Sequence, residues 1–174
     1  NLSRDEALPR LNEQKKSKAQ SDEYYKISPR SAPLERNLFS ISIEGERKKT
    51  LTENGGNNIN FSEGFKYYIN AHSTANEPLE AALYKSTGEK IRLLEDNSGL
   101  KNALADYDIS NKEFFKFTTS ENVELNGWMI KPSDFIAGKK YPVLMFVYGG
   151  PGAQTVLNQW DGRNYFWYQM LAQN

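Results

Sequence analysis

The sequence predicts a β-rich segment of antiparallel hairpins followed by the first strands and helix of an α/β unit. Three observations carry this. Short apolar runs separated by turn signals recur through the first half of the chain. One apolar run, Tyr141-Pro142-Val143-Leu144-Met145-Phe146-Val147-Tyr148, ends abruptly in Gly149-Gly150-Pro151-Gly152, as a buried strand does when it delivers polar groups to the rim of an α/β sheet. Residues 161–173 then carry Tyr165, Trp167, Tyr168, Met170 and Leu171 and read as a helix.

Taken in order, residues 1–20 are polar and lysine-rich, with Leu2, Leu8 and Leu11 as the only large apolar side chains, and read as a tail. The texture changes at Tyr24. Residues 39–43 alternate apolar and small polar side chains, a half-buried strand. Glu44-Gly45-Glu46 turns the chain into a second short strand at 48–52, and Asn54-Gly55-Gly56-Asn57-Asn58 is a turn cluster. Residues 60–69 give two strands around Ser62-Glu63-Gly64. Residues 80–85 and 90–94 flank Ser86-Thr87-Gly88 as another hairpin. This spacing fits an all-β assembly, a sandwich or propeller blades. Phe61-Ser62-Glu63-Gly64-Phe65-Lys66-Tyr67 resembles the Phe-Ser-Pro-Asp-Gly-Lys-Tyr hairpin of propeller repeats, with Phe65 in an added position.

Residues 97–110 form a connector, with one or two helical turns at 100–105. A hairpin over 114–118 and 123–130 closes around Ser120-Glu121-Asn122 and stops at Lys131-Pro132, since proline cannot donate to a ladder. The strand at 141–148 reads as buried on both faces. Asp161 or Asn158 is the candidate cap of the final helix.

The 22 basic and 22 acidic side chains cancel, which argues against a nucleic-acid partner. The lack of cysteine excludes disulfides, thiol nucleophiles and thiolate metal sites. No apolar stretch approaches the ~20 residues that span a bilayer. A Ser-His-Asp triad needs a histidine as base, and the single histidine, His72, follows a strand in the β-rich half, where a structural role is expected. Gly-x-Ser-x-Gly does not occur, nor does a zinc spacing or a dinucleotide or Walker glycine pattern, so neither a metal nor a cofactor is expected.

Three features admit two readings each. Tyr148 is a core tyrosine, or a rim phenol that donates to a carbonyl oxygen becoming negative in acyl transfer. Trp160, Tyr165, Phe166, Trp167 and Tyr168 pack a helix onto a sheet, or line a substrate pocket. Glu35-Arg36 is an exposed ion pair, or a contact between the two halves. The machinery that such a rim serves is absent from these residues, so the chain reads as a piece of an enzyme.

Several stretches together resemble the dipeptidyl peptidase IV branch of the prolyl oligopeptidase family of serine peptidases. They are Ser31-Ala32-Pro33-Leu34-Glu35-Arg36-Asn37-Leu38, Asn60-Phe61-Ser62, Glu113-Phe114-Phe115, Leu125-Asn126-Gly127-Trp128-Met129-Ile130-Lys131-Pro132 with Asp134-Phe135, and Lys140-Tyr141-Pro142-Val143-Leu144 through Val147-Tyr148-Gly149-Gly150-Pro151. Gln154 and Leu171-Ala172-Gln173 continue the series. The resemblance implies a partial β-propeller of antiparallel hairpins running into the opening of an α/β-hydrolase domain. Residues 1–20 are then a polar tail, 21–97 terminal propeller strands, 98–112 a connector, and 113–174 the start of the peptidase domain. It implies a serine exopeptidase that removes dipeptides from free N-termini after proline or alanine.

In that family the tyrosine of Tyr-Gly-Gly-Pro or Tyr-Ala-Gly-Pro supplies the side-chain donor of the oxyanion hole, a role that falls on Tyr148. The family's serine, aspartate and histidine lie downstream of the matched segment, and its substrate-gripping glutamates lie upstream, so no other role is carried over. This chain alone is expected to be inactive. The parent is expected to act on peptides, to be a secreted, periplasmic or cell-surface homodimer, and to need no cofactor. A tripeptidyl or acylaminoacyl peptidase relative and a non-catalytic scaffold that binds protein partners are the alternatives.

Overall fold

The computed structural model describes residues 22–27, 32–150 and 152–174, with Tyr24 as the described side chain within 22–27. The expected tail at 1–20 lies outside the described residues. What is described is mostly antiparallel β-structure with two α-helices. β1 (Asp22–Ile27), β2 (Asn37–Ser42) and β3 (Lys49–Thr50) form one sheet in that order. β4 (Gly56–Phe61), β5 (Tyr67–Ser73), β6 (Glu80–Lys85) and β7 (Lys90–Glu95) form a four-stranded meander. After α1 (Ser98–Leu104), β8 (Lys112–Thr118) and β9 (Glu124–Ile130) make a separate hairpin, and α2 (Arg163–Gln173) ends the chain.

The meander follows from local chemistry. In β4, Asn57 and Ile59 are buried while Asn58 and Asn60 are exposed, the period of two that a half-covered strand requires. Register then places Phe61 opposite Tyr68, and Tyr68 opposite Tyr84, on the same face. One step along, Ile59, Asn70 and Ala82 align. Asn57 and His72 come next. One sheet face thus runs from an aromatic end to a polar end within three rows.

The aromatic end is the core. Leu38, Leu51, Ile59 and Tyr68 are buried together, with Tyr24, Phe61 and Tyr84 packed against them. Tyr68 and Tyr84 stack at 5.1 Å between centroids, and Phe61 lies 5.4 Å from Tyr68. Phe65, the added residue of the hairpin, sits at φ 55, in the left-handed region. An aromatic residue held there costs on the order of 1–3 kcal/mol. Its ring lies 5.0 Å from Phe61 and stacks on Tyr24 at 6.3 Å, contacts that offset the strain.

Three expectations are corrected. The turn cluster at 54–58 is shorter than its composition implies, because β4 already begins at Gly56. The Asn57 side chain replaces the missing turn, donating from Nδ2 to the Glu53 carbonyl at 2.9 Å and the Arg36 carbonyl at 2.8 Å. Neither Asp161 nor Asn158 caps α2. Gly162, at φ 57 and ψ −124, occupies that position, and both candidate side chains are engaged elsewhere.

The strand expected at 141–148 does not form. That segment is irregular, and Val143 to Val147 are exposed, from 62% at Phe146 to 82% at Val143. A strand covered on both faces needs ladder partners on its two edges and layers above and below. Among the described residues no strand pairs with it.

Tyr68 is 1% exposed, and its hydroxyl donates to the Leu51 carbonyl at 3.3 Å. Burial first, then the neighbouring phenols of Tyr84 and Tyr24, push its pKa above the ordinary 10.0. A raised pKa means stability that is complete below about pH 10 and is lost as pH climbs beyond it. Urea denaturation between pH 8 and 11.5 is expected to show that decline. Tyr68→Phe, though less stable at pH 8, should decline less steeply. Parallel curves would show that Tyr68 does not contribute.

Candidate active site

Tyr148 stands at the end of the irregular apolar run and is 48% exposed among the described residues. Its ring folds back over the turn that follows. A methyl group built on Gly150 would sit 2.6 Å from the Tyr148 hydroxyl oxygen and 2.8 Å from Cζ, whereas at Gly149 the same construction meets open space. The phenol therefore occupies the volume that a side chain at position 150 would take. A half-exposed hydroxyl over Gly150 is chemically able to donate to an incoming carbonyl oxygen.

Further along the chain, the segment from Gln154 is bonded to residues 33–36. Gln154 Nε2 donates to the carbonyls of Pro33 and Val156, both at 2.9 Å. Gln154 Oε1 accepts from Arg36 Nη2 at 2.7 Å. Asn158 uses its whole amide. Its backbone N–H donates to the Leu34 carbonyl at 2.9 Å, Oδ1 accepts from the Ala75 N–H at 2.9 Å, and Nδ2 reaches both Glu35 carboxylate oxygens at 3.2 and 3.3 Å. The Cβ of Gln159 lies 2.5 Å from where a Cβ on Gly56 would be, so the segment rests directly on β4. The Trp160 N–H donates to Ser73 Oγ at 3.1 Å.

Of the two readings of Glu35-Arg36, the structure supports the contact between halves. Both residues face the 154–158 segment, and the guanidinium also donates from Nη1 to the Glu35 carbonyl at 3.1 Å. Partial burial lowers the Arg36 pKa from its ordinary value.

Asp161 completes the series by pairing with Lys112, whose side chain is 1% exposed. Lys112 Nζ also lies 4.5 Å from the centre of the Trp128 ring, a cation–π contact. The Lys112 backbone exchanges two bonds with the Asn76 amide, at 2.7 and 3.2 Å. One buried lysine therefore ties the β8–β9 hairpin, the β5–β6 loop and the entry to α2 together. Sequence reasoning missed it. Its partner is 49 residues away and leaves no local pattern.

The aromatic series divides. Tyr165 is buried against Trp160 of the preceding segment at 3.9 Å, and Tyr168 packs on Trp128 at 4.9 Å, which joins α2 to the hairpin. Phe166 and Trp167 are exposed. Gln169 holds the connector, its amide exchanging bonds of 2.7 and 3.0 Å with the backbone of Ser110. His72 lies in β5 with Nδ1 3.2 Å from Asn57 Oδ1, a place in the buried amide network. Among the described residues no group of three or more His, Asp or Glu is arranged to hold a metal ion.

Comparison with known proteins bears directly on this arrangement. The family described as the dipeptidyl peptidase IV N-terminal region matches residues 15–79. A probable dipeptidyl-aminopeptidase B of Emericella nidulans is 30% identical over 143 residues, covering 76% of this chain and 15% of the relative. Human dipeptidyl peptidase 8 is 32% identical over 155 residues, covering 82% of this chain and 17% of that protein. The crystal structure of Porphyromonas gingivalis dipeptidyl peptidase 4 superposes with a TM-score of 0.79 at 35% identity, over 87% of this chain and 21% of the other. The chain belongs to the dipeptidyl peptidase IV family.

This dipeptidyl peptidase IV family chain spans about a sixth of the length of the two curated relatives. The likeness to the solved structure covers 87% of this chain.

The Lys112–Asp161 pair gives a stability prediction for this family chain. Lys112→Met removes the cation and leaves Asp161 three-quarters buried without its partner. The expected loss is about 3 kcal/mol, the lower end for breaking a buried pair because Asp161 is 26% exposed. Adding Asp161→Asn should recover part of it. Chemical denaturation of the two variants checks this, and equal stability of wild type and Lys112→Met would remove the pair from the framework.

Proposed function

We propose that this chain is part of a serine exopeptidase that releases N-terminal dipeptides, Xaa-Pro or Xaa-Ala, by acyl transfer, with Tyr148 as the side-chain donor of the oxyanion hole. The observation that carries this reading is the Tyr148 phenol, half exposed over Gly150, in a chain whose relatives are named dipeptidyl peptidases. The family's Tyr-Gly-Gly-Pro and Tyr-Ala-Gly-Pro motifs support it. Alanine meets open space at 149, whereas at 150 it would have to displace the phenol.

The nucleophile, its histidine and the orienting aspartate belong to parts of the whole protein outside these residues. There the serine Oγ attacks the scissile carbonyl carbon and gives its proton to the histidine. The carbonyl π electrons move to oxygen, and the resulting oxyanion accepts from Tyr148 Oη. Collapse expels the amine with the histidine's proton, and water repeats the sequence on the acyl-enzyme. A donor aimed at the oxyanion stabilises the transition state more than the ground state. In the same reading, strands of an α/β-hydrolase sheet flank residues 141–148 in the whole protein and supply the ladder partners that the run lacks here.

Two tests follow. In the full-length protein, Tyr148→Phe is expected to lower kcat by about 10²–10³ with a much smaller change in KM. Gly150→Ala should reproduce much of that loss by displacing the phenol, while Gly149→Ala stays near wild type. Near-normal turnover of Tyr148→Phe on an Xaa-Pro amide would remove Tyr148 from the mechanism. The 174-residue chain by itself should turn over no such amide, and labelling of the purified chain by a serine-reactive phosphonate would overturn that.

A further inference from the structure

We infer that the connector at 105–111 is a strap and not a hinge, so that the β-rich half and the α2 side of the chain move as one body. A peptide then reaches the catalytic centre of the whole protein without this seam opening. Two halves joined by a crossing of the chain move relative to each other unless their interface holds them. A hinge is a few loop residues free to change φ and ψ. The connector is exposed from Ala105 to Asp108, where such a hinge would be sought.

Its far end is held. Gln169 and Gln173 stand one turn apart on α2 and take alternate residues of the connector. The Gln169 amide accepts from the Ser110 N–H at 3.0 Å and donates to the Ser110 carbonyl at 2.7 Å, and Gln173 Nε2 donates to the Asp108 carbonyl at 2.9 Å. Two residues on, the Lys112 backbone closes onto the Asn76 amide, and its buried Nζ pairs with Asp161. The chain is thus bonded to α2 before it enters β8, and to the β5–β6 loop as it does so. A second stretch crosses the same seam without the connector. Asn158 is bonded to Leu34, Glu35 and Ala75, and Trp160 to Ser73. These partners lie on separate parts of the β-rich half, so a rotation about the connector that spares one contact breaks another. Opening would also expose the Lys112 side chain, which is 1% exposed.

Hydrogen exchange of the full-length protein, read residue by residue, tests this independently of activity. The N–H groups of Ala75, Lys112, Asn158 and Trp160 all donate across the seam. Their protection should come within about tenfold of that of the β4–β5 ladder amides, whereas weaker protection would show that the seam opens and overturn the inference. A Gly-Ser-Gly insertion between Asp106 and Tyr107 adds slack on the exposed side of the strap. It should leave the four protections unchanged, because the seam and not the length of the connector sets the placement; a fall would overturn the inference. On an Xaa-Pro amide, an assay that rests on the peptidase reading, the insertion variant should keep kcat within about twofold of wild type. A larger loss with the seam still protected would make the connector a moving part and overturn the strap. If the wild type turns over no such amide, the peptidase reading falls and exchange alone decides the seam. Should the insertion variant not fold, exchange in the wild type decides it.

Discussion

The Asn57 side-chain amide is the constraint on which the arrangement depends. Residues 33–36 and 154–161 cross between sheets without a ladder of their own beyond the single bridge of Arg36 to Gly56, so their backbone groups must find partners one at a time. Asn57 is buried and takes two carbonyls through Nδ2, while its Oδ1 accepts from Asn70 Nδ2 at 2.7 Å. Each such bond contributes only about 0.5–1.5 kcal/mol net, but a buried partner left alone costs about 1–3 kcal/mol. Apolar burial supplies the stability, and the amide network supplies the geometry. Asn70 Oδ1 is buried without a hydrogen-bond partner among the described residues, a sign that the network is held in place by its surroundings.

That division of labour is written across one sheet face. Phe61, Tyr68 and Tyr84 form the apolar end, and Asn57 with His72 forms the polar end. The apolar end packs onto Leu38 and Leu51 and holds the two sheets together. The polar end meets the segment of Gln159 and Trp160, through Gly56 on β4 and Ser73 at the end of β5. Each of the residues from Asn158 to Asp161 meets a different neighbour, so the segment is seated by several independent contacts. A slip by one residue would break all of them together, which makes the seat specific.

The hairpins were legible in the sequence because their information is local. Alternation and turn residues set β4 to β7, and Phe114 and Trp128 announced β8 and β9. Contacts that span tens of residues were not legible. Asn57 read as a turn residue by composition, yet it enters a strand because its side chain does the work of the turn. Asp161 read as a helix cap, yet Lys112 takes its carboxylate and Gly162 takes the cap position. The run at 141–148 shows a different limit. Its pattern describes the environment a strand of that composition fits, and a pattern cannot report whether neighbours are present to make it. Of the candidate site, Tyr148 and its glycines were visible, while the Arg36–Gln154 contact further along had no signature beyond the pair Glu35-Arg36.

The exposed run and the fixed turn belong to one physical argument. Five consecutive apolar residues without ladder partners have high β-propensity and gain by pairing with any available edge. Such a segment has no position of its own. Its downstream end is fixed all the same, because Gln154 and Asn158 are bonded to 33–36 whatever the run does. Tyr148 stands between the segment that waits for neighbours and the segment that is already placed. Its phenol lies over Gly150. Strands added beside 141–147 would meet a run whose continuation from Gln154 onward is already bonded to residues 33–36.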